Sequence, residues 1–322
     1  MRFSSKVVEW RPTAPFKNLQ QRAQILAKIR QFFADRKVME VETPIVSQFT
    51  VTDQHLHSLA VTTPERDYYL QTSPEYAMKR LVAAGYGSIY QISKVFRASE
   101  QGARHNPEFT MLEWYRVGFD HFKLMAEVDN LVQHILKTPA AQRISYRELF
   151  KQYLGIDIVS CSDKSLTGFI DTQNWLGTSA SELDRDTCLQ LIMTHAIEPY
   201  LGLDVPVFVF DFPASQAALA RLTSTDPPFG ERFELFIKGL EIANGFHELT
   251  DYQEQQFRFQ RDQKNRQNQG QKVPEIDNRF IAALQHGLPD CAGVALGIDR
   301  LIMLAVQANH IDQVIAFPWT SC

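Results

Sequence analysis

The segment 108–117 restricts this chain more than any other stretch. Read with a period of two, it puts Phe109, Met111, Glu113 and Tyr115 on one face. A carboxylate between a thioether and a phenol is tolerated in a buried position only when a cation or metal pairs with it. Residues 89–97 read as the partner strand, with the turn-rich stretch 98–107 between them, so the two form a long-looped antiparallel hairpin. One face of the resulting sheet must therefore be a polar site.

The remaining pattern supplies helices around that hairpin. Residues 1–17 read as an irregular arm ending at Pro12 and Pro15. Asn18 with Gln21 resembles a capping box, and Leu19, Ala23, Leu26, Ile29 and Phe33 recur at helical spacing to about Arg36. A short strand, 38–42, is closed by Pro44. In Ser73-Pro74-Glu75 a good N-cap, a first-turn proline and an acid at the positive end of the dipole start a helix to about Ala84, with Gly85 beyond it. The next helix, 121–137, carries Phe122, Met125, Val128, Val132 and Ile135 on its stripe, and 139–206 reads as a mostly helical insertion. Strands are expected at 207–212 and 233–243, and a solvated Gln-, Arg- and Lys-rich helix at 254–272. A small-residue strand follows at 291–296, turned by Gly297 into a helix starting at Asp299-Arg300. With neither repeat nor linker, 18–322 reads as one α+β domain with a mainly antiparallel sheet flanked by helices.

Composition narrows the function classes. Thirty-three Lys plus Arg against 37 Asp plus Glu give a net charge of -4, which disfavours a nucleic-acid scaffold. Cys161, Cys188, Cys291 and Cys322 are scattered without a C-x-x-C pair, so neither a zinc knuckle nor a disulfide framework is expected, and a reducing cytoplasm is. No apolar run approaches the ~20 residues of a membrane span.

Several residues could carry chemistry. Arg97 ends a strand and Arg300 lies in a first helical turn, both natural places for a phosphate binder, yet no P-loop occurs and Gly293-x-x-x-Gly297 is a weak glycine signal. Glu75, Glu113, Glu241 and Glu248 lie in or beside structured segments, a set that suits a cationic substrate and Mg2+. His55 and His57 read as loop histidines, and His247-Glu248 lacks the second His of a zinc-protease helix.

Together these segments resemble the three signature motifs of class II aminoacyl-tRNA synthetases, and within them the catalytic domain of lysyl-tRNA synthetase. The first motif looks like the helix and strand that begin at Asn18 and end in 32–44, the second like Val95-Phe96-Arg97 with 104–115, and the third like 293–300. Only 17 residues precede the first motif, whereas an anticodon-binding domain needs on the order of 100. The chain is therefore expected to lack one, and is similar to the truncated paralogues that attach (R)-β-lysine to a lysine of elongation factor P. Val51-Thr52-Asp53 and 212–216 share that likeness.

The resemblance implies roles for individual residues. Arg97 would hold the ATP α-phosphate, and Arg300 would reach the triphosphate and cover the adenine opposite Phe109, with Ala98, Ser99, Asn106, Glu241, Ile242 and Gly297 completing the nucleotide site. Glu241 and Glu248 would hold Mg2+. Ser73, Pro74 and Glu75 would face the amino group nearest the substrate carboxylate, Asn244 the carboxylate, and Tyr115 with Glu248 the distal ammonium. Two positions depart from lysyl-tRNA synthetase: Ser99 stands where it has an acid, and Ala295 where it has Gly.

The implied activity is ATP-dependent formation of a β-lysyl or lysyl adenylate, then transfer to a lysine ε-amine of elongation factor P. No tRNA or membrane partner is expected, and a homodimer is. An acceptor lysine with an ordinary pKa near ~10.4 must be freed of its proton, by desolvation or by the adenylate phosphate. Two alternatives remain: a small-molecule ligase of asparagine synthetase type, which would want an extra cation in the pocket, and a catalytically inactive binding or regulatory protein.

Overall fold

The computed structural model describes residues 10–322; residues 1–9, the first part of the expected arm, lie outside the described residues. Helix α1 (Phe16–Asp35) begins before the expected Asn18 cap, with Pro15 at its N-cap and no side-chain cap. Asn18 instead donates to the Gln313 carbonyl at 2.9 Å, tying the helix to the C-terminal segment. The buried stripe is Ile25, Ile29, Phe32 and Phe33: Ile29 and Phe33 are buried as expected, whereas Ala23 faces solvent and Leu19 and Leu26 are half-buried. Strand β1 (Met39–Glu40) follows. Then come β2 (Val46–Ser47), β3 (Ala60–Thr62) and β4 (Asp67–Leu70), a separate three-stranded sheet in the order β2-β4-β3 that the sequence pattern did not announce.

Helix α2 (Glu75–Ala83) starts where Ser73-Pro74-Glu75 predicts, with the Glu75 amide donating to Ser73 Oγ at 3.1 Å. Strands β5 (Ile89–Phe96) and β6 (Glu108–Val117) form the expected hairpin, in register from Phe96 opposite Glu108 to Ile89 opposite Tyr115. Helix α3 (His121–Leu136) is capped by Asp120 and buries Leu124, Met125, Val128, Leu131, Val132 and Ile135, whereas Phe122, expected on its stripe, is exposed. Between 139 and 206 lie β7 (Gln142–Ser145), α4 (Tyr146–Leu154), α5 (Asp163–Gln173) and α6 (Arg185–Ile192).

Strand β8 (Val207–Pro213) is as expected, but the single strand expected at 233–243 is two: β9 (Phe229–Ile237) and β10 (Leu240–His247). Lys238 and Gly239 turn the chain between them with φ of 51° and 68°, the left-handed pair that a two-residue hairpin requires. Helices α7 (Tyr252–Asn268) and α8 (Asn278–Gly287) precede β11 (Cys291–Gly297), which runs into α9 (Ile298–Val306). Helix α7 is less solvated than its composition suggests. Arg258 and Arg266 are buried, and Arg266 donates to the carbonyls of Thr52, Asp53 and Leu56, clamping that loop.

The main sheet has eight strands in the order β1-β5-β6-β11-β10-β9-β8-β7, antiparallel except for the outermost pairs β1/β5 and β7/β8. Leu112, Trp114, Val294, Leu296 and Leu235 point to one face and form the core with α1, α3 and α9. The alternate residues, Phe109, Met111, Glu113 and Tyr115 among them, point to the other. Among the described residues no helix is long and apolar enough to cross a membrane.

One buried network pins all three motif segments together. Arg22 Nη1 lies 2.6 Å from Asp299 Oδ1 and its Nη2 donates to Thr110 Oγ1 at 2.7 Å, while Asp299 Oδ2 accepts from the Thr110 amide at 2.6 Å. Removing one partner of such a pair leaves the other charge buried and uncompensated, which typically costs about 3–5 kcal/mol. Arg22→Met should lower unfolding stability in urea by that amount. Arg22→Met combined with Asp299→Asn should recover part of it.

Candidate active site

The site is a row across the sheet. Register places Gln91, Glu113, Ala295, Asn244 and Glu234 side by side on β5, β6, β11, β10 and β9. Strand β11 is the floor, and its small residues leave space above it. A Cβ on Gly293 would lie 2.4 Å from both Glu248 Oε1 and a Tyr115 ring carbon, so a glycine is needed there for those two side chains to meet over the strand. Two residues on, the half-buried Ala295 carries the only methyl of the glycine–alanine–glycine series 293, 295 and 297, between Glu113 and Asn244.

At the Glu113 end the acids converge. Glu113 accepts from Ser73 Oγ and from Tyr115 OH, both at 2.7 Å, and is 2% exposed. Beside it Lys79 Nζ lies 2.6 Å from both Glu75 Oε1 and Glu248 Oε2. Sequence reasoning missed Lys79: at four residues from Glu75 it reads as one of the ordinary surface pairs of a helix, but it is 1% exposed. Burial alone would push its ammonium down, yet Glu248 and Glu75 hold it above the ordinary lysine value. The surplus negative charge falls on the carboxylates. Burial, with Glu75 adding, pushes Glu113 up to about 7 against its two hydrogen bonds. Burial likewise pushes Glu248 up to about 8, opposed by Lys79 and reinforced by Glu75.

At the other end, Asn244 Oδ1 accepts from Arg232 Nε at 3.2 Å, which turns its amide nitrogen away from the guanidinium. Arg232 also donates to the Gln216 carbonyl at 2.7 Å and pairs closely with Glu234. Neither Arg232 nor Glu234 was singled out from the sequence, because reading 233–243 as one strand hid which face each occupies.

The nucleotide candidates gather beyond Gly297. Arg97 stacks over the Phe109 ring at 5.2 Å and makes only a 3.6 Å contact with Glu100, its Nε having no hydrogen-bond partner among the described residues. Ser99 is in the left-handed region with φ 68°, and the Ala98 amide donates to the His57 carbonyl at 2.8 Å, so these two shape the loop by backbone. Asn106 donates to the Glu108 carbonyl at 2.6 Å and accepts from the Trp319 amide at 2.9 Å; its amide thus holds the loop against the C-terminal segment. Arg300 Nη1 donates to the Glu241 carbonyl at 2.7 Å and its Nη2 meets His105 Nε2 at 2.5 Å. Burial and the guanidinium lower the His105 pKa, so the ring is a neutral acceptor.

The resemblance gives Glu241 and Glu248 to Mg2+. Glu241 lies near the start of β10 and Glu248 just past its end, paired with Lys79. The register of β10 shifts between Glu241 and Ala243, so Glu241 opposes Phe236 while Ala243 opposes Leu235. The extra residue, Ile242, swings Glu241 onto the face of Asn244 and Glu234. Burial pushes Glu198 and Glu234 up to about 7; Glu241 adds to both, and for Glu234 Arg232 opposes the rise. Arg232 pairs with Glu234, and Arg300 Nη1 lies 3.7 Å from Glu241 Oε2.

The model of tRNA synthetases class II (D, K and N) matches residues 1–321. An elongation factor P–(R)-β-lysine ligase of Vibrio parahaemolyticus serotype O3:K6 is 53% identical over 316 residues, 96% of this chain and 98% of that protein. Ligases of the same name from Hamiltonella defensa and Yersinia enterocolitica are each 51% identical over 320 residues, 98% of both chains. The chain belongs to the class II tRNA synthetase family and, within it, to the family of these ligases. The α+β fold with its large, mostly antiparallel sheet is the one the motif segments imply.

Three carboxylates around one ammonium make a pocket that binds a cation at the expense of protons. Glu113 and Glu248, pushed up to about 7 and about 8, are protonated below those values and ionised above them. Affinity for a diammonium ligand such as L-lysine should therefore rise from about pH 6 to about pH 8.5, by up to about tenfold per unit for each proton displaced. Calorimetry in buffers of different ionisation heat should record proton release. A pH-independent affinity, or proton uptake, would contradict the charge count.

Proposed function

We propose that this chain activates (R)-β-lysine, or lysine, with ATP as an aminoacyl adenylate and transfers it to the ε-amine of a lysine on elongation factor P. The observation that carries this reading is the Lys79 cluster, whose three carboxylates exceed its one ammonium and so call for a substrate with amino groups. The names of the full-length relatives agree with it.

The chemistry follows from the row of residues. The substrate lies over Ala295 with an ammonium toward Glu75, Glu113 and Glu248 and its carboxylate toward Asn244. Arg232, which orients Asn244, keeps positive charge near that carboxylate. The carboxylate attacks the α-phosphorus in line, forming the C–O–P mixed anhydride as the bond to pyrophosphate breaks. Arg97, with no strong partner of its own, meets the charge on the α-phosphate, and Arg300 meets the leaving phosphates. Glu241, with Glu248 or Glu234, would hold Mg2+, which would neutralise charge on the triphosphate. In the second step the neutral acceptor amine attacks the carbonyl carbon, AMP leaves, and the amine proton passes to the adenylate phosphate or to solvent. Ala295 adds a methyl beside the reacting carbon, a place where the β-amino isomer has more room than the α-amino one.

Asparagine synthetase chemistry fits less well. Lys79 does put a cation in the pocket, but Glu75 and Glu248 already answer its charge. The homodimer we propose uses the surface around the first motif. The α1 stripe is satisfied within the chain, but Phe16, Met39, Ile45 and Val46 are exposed there.

The test is transfer. Labelled (R)-β-lysine with ATP should mark elongation factor P and leave tRNA unmarked, and charging of tRNA alone would overturn the reading. Arg300→Ala should slow adenylate formation by about 10²- to 10³-fold, measured as ATP–pyrophosphate exchange. A rate close to that of the parent would remove Arg300 from the nucleotide site.

A further inference from the structure

On the face of the sheet opposite the amino-acid pocket lies a cluster that the proposed reaction does not use. Phe246 opposes Gly293 on the pocket side, so its neighbour His247, opposite Ala292, points the other way, toward α3. There it meets His121, the first residue of α3, and Glu231 of β9; one ligand atom from each lies within 4.8 Å of the others. We propose that His121, His247 and Glu231 form a binding site for a divalent transition metal, with Zn2+ the best fit and water completing its shell.

Two independent observations support it. The His121 side chain is only 6% exposed, yet neither of its ring nitrogens has a hydrogen-bond partner among the described residues. They face acids too distant to bond: Nδ1 is 4.0 Å from Glu231 Oε2 and Nε2 is 3.9 Å from Asp211 Oδ1. Two unmade hydrogen bonds on a buried ring are costly; a metal on Nδ1, the side of Glu231, gives that nitrogen a partner and leaves Nε2–H directed at Asp211.

The second observation is the arrangement of His247. Its Nε2 is 3.0 Å from Asp290 Oδ1, and that carboxylate is held by Arg221 Nη2 at 2.7 Å. A carboxylate on one ring nitrogen fixes the tautomer and directs the other lone pair outward, as is usual for metal-bound histidines. The other nitrogen, Nδ1, is the atom in close contact with Glu231. A bare lone pair cannot face a carboxylate at that range; a proton fits between them as they stand, and a metal would displace it as the two atoms move apart.

Asp211 faces the other nitrogen of the same ring. It sits at the register shift of β8 between Phe210 and Phe212, with φ 57°, where the Nε2–H of a His121 bound through Nδ1 would point. Two imidazoles and a carboxylate, with water as the fourth ligand, suit tetrahedral Zn2+, whereas Mg2+ prefers oxygen alone. His247 Nδ1 and Glu231 Oε2 would move apart for both to reach bond lengths of ~2.0–2.2 Å. Such an ion would tie the start of α3 to β9 and β10.

The experiment titrates chelator-stripped full-length protein with Zn2+ in excess Mg2+, and with Co2+ as a spectroscopic probe. One equivalent of Zn2+ per chain, a rise in melting temperature and a ligand-field band with Co2+ are expected. His121→Gln, whose ring has no partner to lose, should melt like the parent without metal and bind Zn2+ at least ~100-fold more weakly. Asp290→Asn, exposed and one step removed, should weaken binding by about 10- to 100-fold. If the parent takes up no stoichiometric Zn2+, the contact is a protonated His247 between two acids and the proposal fails. It fails equally if His121→Gln and Glu231→Gln both bind Zn2+ as the parent does.

Discussion

A single buried ammonium shared among more carboxylates than it can neutralise organises the pocket end of this molecule. Lys79 sits 2.6 Å from both Glu75 and Glu248, and Glu113 stands beside them with only hydroxyl donors for partners. Charges removed from water must be paired or neutralised. Each element around the pocket contributes a piece: α2 brings Glu75 and Lys79, β6 brings Glu113 and Tyr115, and the exit of β10 brings Glu248. The cluster holds more carboxylates than ammonium groups, and burial first, with Glu75 adding, raises the pKa of Glu113 and Glu248.

The sheet turns this electrostatic demand into geometry. Small residues on β11 let Tyr115 and Glu248 meet above Gly293, and antiparallel register lines up Glu113, Ala295 and Asn244 along one axis. One bulge at Ile242 rotates Glu241 onto that face, the face of Glu234. Arg22 and Asp299 hold α1, β6 and α9 in the positions that make the row continuous.

What could be read from the sequence was whatever depends on local period or on a cap. The hairpin of β5 and β6, the mixed face carrying Glu113 and Tyr115, and the start of α2 at Ser73-Pro74-Glu75 all follow from neighbours in the chain. Lys79 did not, because a Glu–Lys spacing of four is the pattern of a solvated helix face and only tertiary packing buries it. Glu234 and Arg232 were missed because the Lys238-Gly239 turn lies inside an otherwise continuous apolar run, and reading through it inverts the faces. The cluster of His121, Glu231 and His247 joins three separate segments and leaves no local signal.

The central claim is that the pocket recognises a second ammonium. ATP–pyrophosphate exchange with (R)-β-lysine and with (R)-3-aminohexanoic acid, which keeps the chain and the β-amine but lacks the distal ammonium, tests it most directly. A site built around buried charged partners rejects an analogue lacking the matching group by about 10⁴-fold or more, and a kcat/KM ratio of that order is predicted. Activation of the two acids within tenfold of each other would contradict the account.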